Sequence, residues 1–109
     1  MHDHYAEVSE AIKSRISDLM IGKMSDLYKI FGDCTRLRIL SLLSFGKLCV
    51  RAICEVLEMN QSAVSHQLKI LKDSRLVGNE KIGREVFYYL LDDHVCKIIS
   101  LGREHVSEE

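Results

Sequence analysis

A chain of 109 residues, 47% hydrophobic and 28% charged, has the length of one domain and the balance of a folded globular protein, which excludes a disordered one. Its formal net charge of −1 conceals an uneven distribution: residues 36–84 carry nine Lys/Arg against four Asp/Glu, while both flanking segments are net acidic. A basic middle between acidic ends points to a central segment that meets a polyanion. No stretch approaches the ~18 apolar residues of a membrane span, and MHDHYAEVSEAIK lacks a signal-peptide apolar core, so a cytoplasmic location is expected.

With no Pro and only six Gly, helices joined by short connections are expected. Val8, Ile12, Ile16 and Leu19 recur at three- and four-residue steps and predict one amphipathic helix over residues 1–20, a candidate dimerisation element. Leu27, Ile30 and Phe31 predict a short second helix closed by Gly32. Asp33 can cap a third, whose Leu37, Ile39, Leu40, Leu42 and Leu43 are expected to be buried, with Phe45-Gly46-Lys47 ending it.

Residues 50–76 then read as two helices in close succession. Val50 to Met59 forms the first, with Ile53, Val56 and Leu57 inward. Asn60 caps the second, where Val64, Leu68 and Leu71 make a buried stripe. Over 77–91 the period changes, and two runs around Ile82-Gly83-Arg84 predict a β-hairpin. A last helix over 93–107 presents Val95, Ile98, Ile99 and Leu101, with Cys96 beside them, as a second dimerisation face. The expected fold class is mainly α with one β-hairpin.

Two short helices joined through Glu58-Met59-Asn60 form a helix-turn-helix pattern, which places the start of its second helix in the DNA major groove. The candidate contacts there are Gln61, Ser62, Ser65, His66 and Gln67, short or amide-bearing side chains suited to bases and phosphates. Lys69, Lys72 and Arg75 supply charge toward the backbone, and the hairpin forms a wing with Lys81 and Arg84 at its tip. No GxGxxG, GxxxxGK[ST] or HExxH is present, so no enzyme is expected. Cys34, Cys49, Cys54 and Cys96 lack CxxC spacing and read as reduced thiols. Cys49 and Cys54, if both helical, diverge by about 140° and cannot chelate as a pair.

The stretches FGDCTRLRILSLL, KLCVRAICEVL, NQSAVSHQLKILKDSRLV and GREVFYYLL resemble the ArsR/SmtB family of metal-responsive winged-helix repressors. The likeness runs from about Met24 onward. It implies a homodimer that binds an imperfectly palindromic operator in double-stranded DNA when metal-free and releases it when an inducer binds. Family DNA-contact positions fall on Ser62, Ser65, His66 and Gln67, with Arg84 in the wing.

The family's sensor sites map unevenly onto this chain. Its thiolate site uses a Leu-Cys-Val-Cys motif, and here Leu48-Cys49-Val50-Arg51 puts a cation in place of the second thiolate. A related form adds an Asp at position 52, which is Ala, and N-terminal Cys and His residues. Only Cys49, His2 and His4 remain as a candidate second site.

The zinc-sensing branch instead carries Asp-x-His and then His with His or Glu on the last helix, matched by Asp92, His94, His105 and Glu108. Eleven residues separate the two histidines by about 16 Å of helix rise, so one chain cannot bring both to an ion that needs ligands at about 2.0–2.2 Å. His105 and Glu108 converge as i,i+3 neighbours, whereas Asp92 and His94 converge only if Asp92 precedes the helix.

An antiparallel partner helix completes two equivalent sites of mixed nitrogen and oxygen donors, which suit Zn2+, with Co2+, Ni2+ or Cd2+ as competitors. The alternatives on the same fold are a thiol- or redox-responsive repressor using the cysteines and a cadmium/lead-type thiolate-site repressor. A metal-buffering protein without DNA function is a further reading.

Overall fold

The computed structural model describes residues 1–108, in the order α1 (His4–Ser14), α2 (Asp18–Phe31), α3 (Cys34–Leu43), β1 (Leu48–Cys49), α4 (Val50–Leu57), α5 (Gln61–Asp73), β2 (Val77–Ile82), β3 (Glu85–Leu90) and α6 (Asp93–Ser107). The fold is mainly helical with a three-stranded antiparallel sheet in the order β1-β3-β2. Hairpin β2–β3 pairs Val77 with Leu90 through to Ile82 with Glu85, and Gly83 takes a positive φ of 63° at the turn.

The single helix expected over residues 1–20 is two helices. The Ser14 hydroxyl donates to the Glu10 and Ala11 carbonyls, Arg15 is extended, and Ser17 accepts from the Met20 amide to start α2. Side-chain bonding to backbone groups at both ends breaks a pattern whose apolar period runs on unbroken. The second helix is correspondingly longer than its three apolar residues indicated, at 14 residues. Helix α1 has no buried residue, and the molecule extends 67 × 32 × 21 Å.

Two predicted caps are in place. Asp33 accepts from the Arg36 amide at 3.0 Å and Asn60 from the Ala63 amide at 2.8 Å. Helix α3 buries Ile39, Leu40 and Leu43, while Leu42 is half-buried and Leu37 exposed. These three pack with Ile53 of α4, Val64, Leu68 and Leu71 of α5, and Val95 of α6. Val95, expected on a dimerisation face, thus belongs to the protomer's own core, and Ile98 and Ile99 pack against that core, which leaves Leu101 as the exposed member of that set. Val56 faces solvent rather than the core, since the eight-residue α4 presents only one narrow stripe to α3 and α5.

Both helices of the central pair end in the same way. The Met59 and Glu58 amides donate to the Cys54 and Glu55 carbonyls, and the Leu76 and Arg75 amides to those of Leu71 and Lys72. This double bond pattern is the Schellman motif, which requires a left-handed residue: Glu58 at φ 54° and Arg75 at φ 62°. Neither is glycine, so the sequence gives no sign of the left-handed geometry at these stops. Leu48–Cys49 form a short strand against Phe87 and Tyr88, an element absent from the sequence reading. Cys49 therefore lies before α4 rather than within it.

Ile53 is fully buried between α4 and the rest of the core. Ile53→Ala should destabilise the chain by about 2–5 kcal/mol, read as a lower urea midpoint at unchanged slope.

Candidate metal and nucleic-acid sites

Asp92 is the N-cap of α6, with an extended backbone, and its Oδ1 accepts from the His94 amide at 2.8 Å. The same oxygen lies 3.2 Å from His94 Nδ1. The cap thus does two things at once: it satisfies a free helix amide and turns the His94 ring toward the carboxylate. This meets the condition that the spacing imposed, that Asp92 precede the helix.

At the far end of α6, His105 and Glu108 line one shallow recess with Leu101 and Glu104. All four proposed ligands are exposed. Each pair offers two donors, short of the four that a tetrahedral ion takes from a closed site. The donor chemistry, imidazole with carboxylate, fits a borderline divalent cation.

The other candidate metal residues do not assemble as expected. Among the described residues, His2 and His4 converge with Glu7, not with Cys49. Cys49 sits in β1, paired with Phe87, and Arg51 beside it donates to Glu85 of β3 at 3.3 Å. The cation that replaces the second thiolate is thus engaged with the wing. Glu7 escaped the sequence reading, although its i,i+3 spacing from His4 was a usable signal.

On α5, Gln61, Ser62, Ser65, His66 and Lys69 are exposed, as are Lys81 and Arg84 on the hairpin. Ser62, Ser65, His66 and Lys69 follow one another at helical steps and share a face. Gln67 departs from this group. It is half-buried, and its Oε1 accepts from Arg36 Nη1 at 3.2 Å. Arg36 also donates through Nε to the Ile30 carbonyl at 3.0 Å and through Nη2 to the Lys29 carbonyl at 3.4 Å.

Gln67 therefore ties the reading helix to α3 and the end of α2, because its position on α5 turns inward toward α3. Arg36 carried no local sequence signal for this role. Lys69 pairs with Asp73 at 3.0 Å, and Lys72 donates to Asn79 of β2.

Comparisons with known proteins bear on this arrangement. Residues 33–78 match the family described as bacterial regulatory protein, arsR family. The transcriptional repressor SmtB homolog of Synechocystis sp. is 37% identical over 86 residues, 79% of this chain and 65% of that protein's length. An uncharacterized HTH-type transcriptional regulator of Methanocaldococcus jannaschii is 45% identical over 83 residues, 75% of this chain and 93% of its own length. The chain belongs to the ArsR family.

The ArsR match covers α3, β1, α4, α5 and the start of β2, and stops short of α6. A solved structure of the AntR antimony-specific transcriptional repressor superposes with a TM-score of 0.79 at 31% identity, covering 90% of this chain and 91% of that one. Other ArsR relatives are named as arsenical- and cadmium-resistance regulators of Staphylococcus aureus.

Two substitutions separate the roles of these residues. Asp92→Ala should cost about 1 kcal/mol through the lost cap, measured by thermal or urea unfolding. Gln67→Ala should cost about 1 kcal/mol through the released Arg36 contact, whereas Ser65→Ala should leave stability within about 0.5 kcal/mol.

Proposed function

We propose that the chain is a homodimeric, metal-responsive transcriptional repressor that binds operator DNA when metal-free and is released by zinc bound between its C-terminal helices. The observation that carries this reading is the pairing on α6. Asp92 and His94 converge at its N-cap, His105 and Glu108 share a recess near its other end, and neither pair is a complete site in one chain. In a twofold dimer with antiparallel α6 helices, Asp92 and His94 face His105 and Glu108 of the partner subunit. Two four-donor sites result, suited to Zn2+ and open to Co2+, Ni2+ or Cd2+.

Homodimerisation through the first and last helices is supported by what one chain leaves uncovered. Val8, Ile12, Ile16 and Leu19 at the N-terminal end, with Leu101 and Val106 on α6, are exposed apolar side chains. A domain of this size gains burial by covering them with a second copy.

DNA recognition by α5 and the wing is supported by the exposed face carrying Ser62, Ser65, His66 and Lys69, with Gln61 at the helix start and Lys81 and Arg84 on the hairpin. In the dimer two such faces meet successive major-groove segments of an imperfect palindrome. The metal acts as an inducer by favouring a dimer shape whose two reading helices no longer fit both half-sites. Only a difference in metal affinity between the two dimer shapes can drive that shift. Relatives named for arsenic, cadmium and antimony support a metal inducer, and zinc follows from the donor set on α6.

The test is fluorescence anisotropy on a duplex selected from random-sequence DNA by the apo protein, at fixed salt. Zinc should weaken binding about 5–150-fold, and the His94→Ala/His105→Ala protein should bind equally with and without zinc. Operator affinity unchanged by zinc in the native protein overturns the zinc reading. Release by peroxide alone assigns the sensing to the cysteines. Separately, Arg84→Ala should lower the slope of log affinity against log salt by about 1 per protomer, if Arg84 meets a phosphate.

A further inference from the structure

The N-terminal arm holds a cluster that the α6 pairs do not use. Among the described residues, one group of three His, Cys, Asp or Glu side chains converges: His2, His4 and Glu7, with one ligand atom of each within 4.8 Å of the others. His2 Nε2 lies 2.7 Å from Glu7 Oε2. We propose that these three residues form a second divalent-cation site, distinct from the α6 pairs and complete within one chain.

Local structure explains why they meet. Asp3 caps α1 by accepting from the Ala6 amide at 3.1 Å, so the chain enters the helix between His2 and His4. Glu7 lies one turn on from His4 and faces the same way, while His2, outside the helix, folds back onto Glu7. The Asp3 carboxylate is engaged in the cap and is not among the three converging groups.

The donors are two imidazoles and a carboxylate, a set that suits Zn2+, Ni2+ or Cu2+ rather than the all-oxygen shells of Mg2+ or Ca2+. A tetrahedral ion with bonds of about 2.0–2.2 Å holds its ligand atoms about 3.4 Å apart. The three ligand atoms already lie within 4.8 Å of one another, His2 and Glu7 at 2.7 Å, so these exposed side chains reach that spacing by rotamer adjustment. Three protein ligands leave further positions to water, so this site exchanges its ion readily.

The site also has a structural consequence. Helix α1 buries no residue of its own chain, so little within the protomer holds it. An ion joining His2 to His4 and Glu7 crosslinks the residues before the helix to its first turn. Metal on the arm therefore raises the order of α1.

The experiment uses the full-length His94→Ala/His105→Ala protein, in which the α6 pairs each lack a ligand, titrated with Ni2+ and, separately, Zn2+ by calorimetry. One ion per chain is expected. Adding His2→Ala and His4→Ala should abolish it. Glu7→Gln should weaken it about tenfold or more, since loss of a mere orienting partner already costs ~10–100-fold. Amide hydrogen exchange should show slower exchange in α1 on metal addition, which a non-specific surface ion would not produce.

No bound ion in the His94→Ala/His105→Ala protein overturns the proposal, as does binding that survives His2→Ala/His4→Ala. Because each α6 pair lacks its histidine throughout, the outcome is independent of whether zinc governs DNA binding. All substituted side chains are exposed, and circular dichroism confirms that each variant is folded.

Discussion

The helix-turn-helix and the helix that carries Asp92, His94, His105 and Glu108 all lean on α3. Ile39, Leu40 and Leu43 are the buried centre, and around them pack α2, α4, α5, α6 and β3. Full burial of these side chains, each stabilising by about 1.5–3 kcal/mol on the transfer scale, outweighs the weak local preferences of the short helices around them. The eight-residue α4 would not persist alone, and it is held because Ile53 has no other place to go. Helix α3 touches both α5, with its exposed polar face, and α6, with its histidines, so packing on α3 is one route by which a shift at one reaches the other, beside the route through β3 and β2.

Arg36 adds direction to that packing. Its guanidinium reaches the Lys29 and Ile30 carbonyls at the end of α2 and the Gln67 amide oxygen on α5. The carbonyls at a helix C-terminus are short of donors, and a cation there gains from both hydrogen bonding and the helix dipole. One side chain therefore links three helices and holds the face of α5 that bears Ser62, Ser65 and His66 toward solvent. Gln67, which looks from its neighbours like one more group for reading bases, is part of the mounting.

The metal chemistry follows from counting donors. On α6 the two pairs stand about three turns apart, and in the proposed dimer each is half a site. On the arm, three donors converge in one chain. As proposed, the first arrangement depends on how two chains are placed, and the second on one helix alone. Asp92 shows how economical the first is, since one carboxylate oxygen both caps α6 and orients His94.

Much of this was legible along the chain. The caps at Asp33 and Asn60, the buried stripe of α5, the hairpin and the span of α6 all follow from short-range rules: a side-chain oxygen three residues before an amide, apolar residues at helical or alternating steps. The need for Asp92 to precede the helix followed from spacing alone. What apolar periodicity could not show was settled by particular hydrogen bonds, some local and some between residues far apart. The Schellman ends at Glu58 and Arg75 use left-handed residues that are not glycine, and packing of the next segment imposes them. The break between α1 and α2 depends on which backbone groups Ser14 and Ser17 bond, while the apolar period runs straight through it. Gln67 is turned inward by an arginine 31 positions away. Local periodicity determines which face of an element is apolar, but only the tertiary structure decides what that face, and each polar residue beside it, meets.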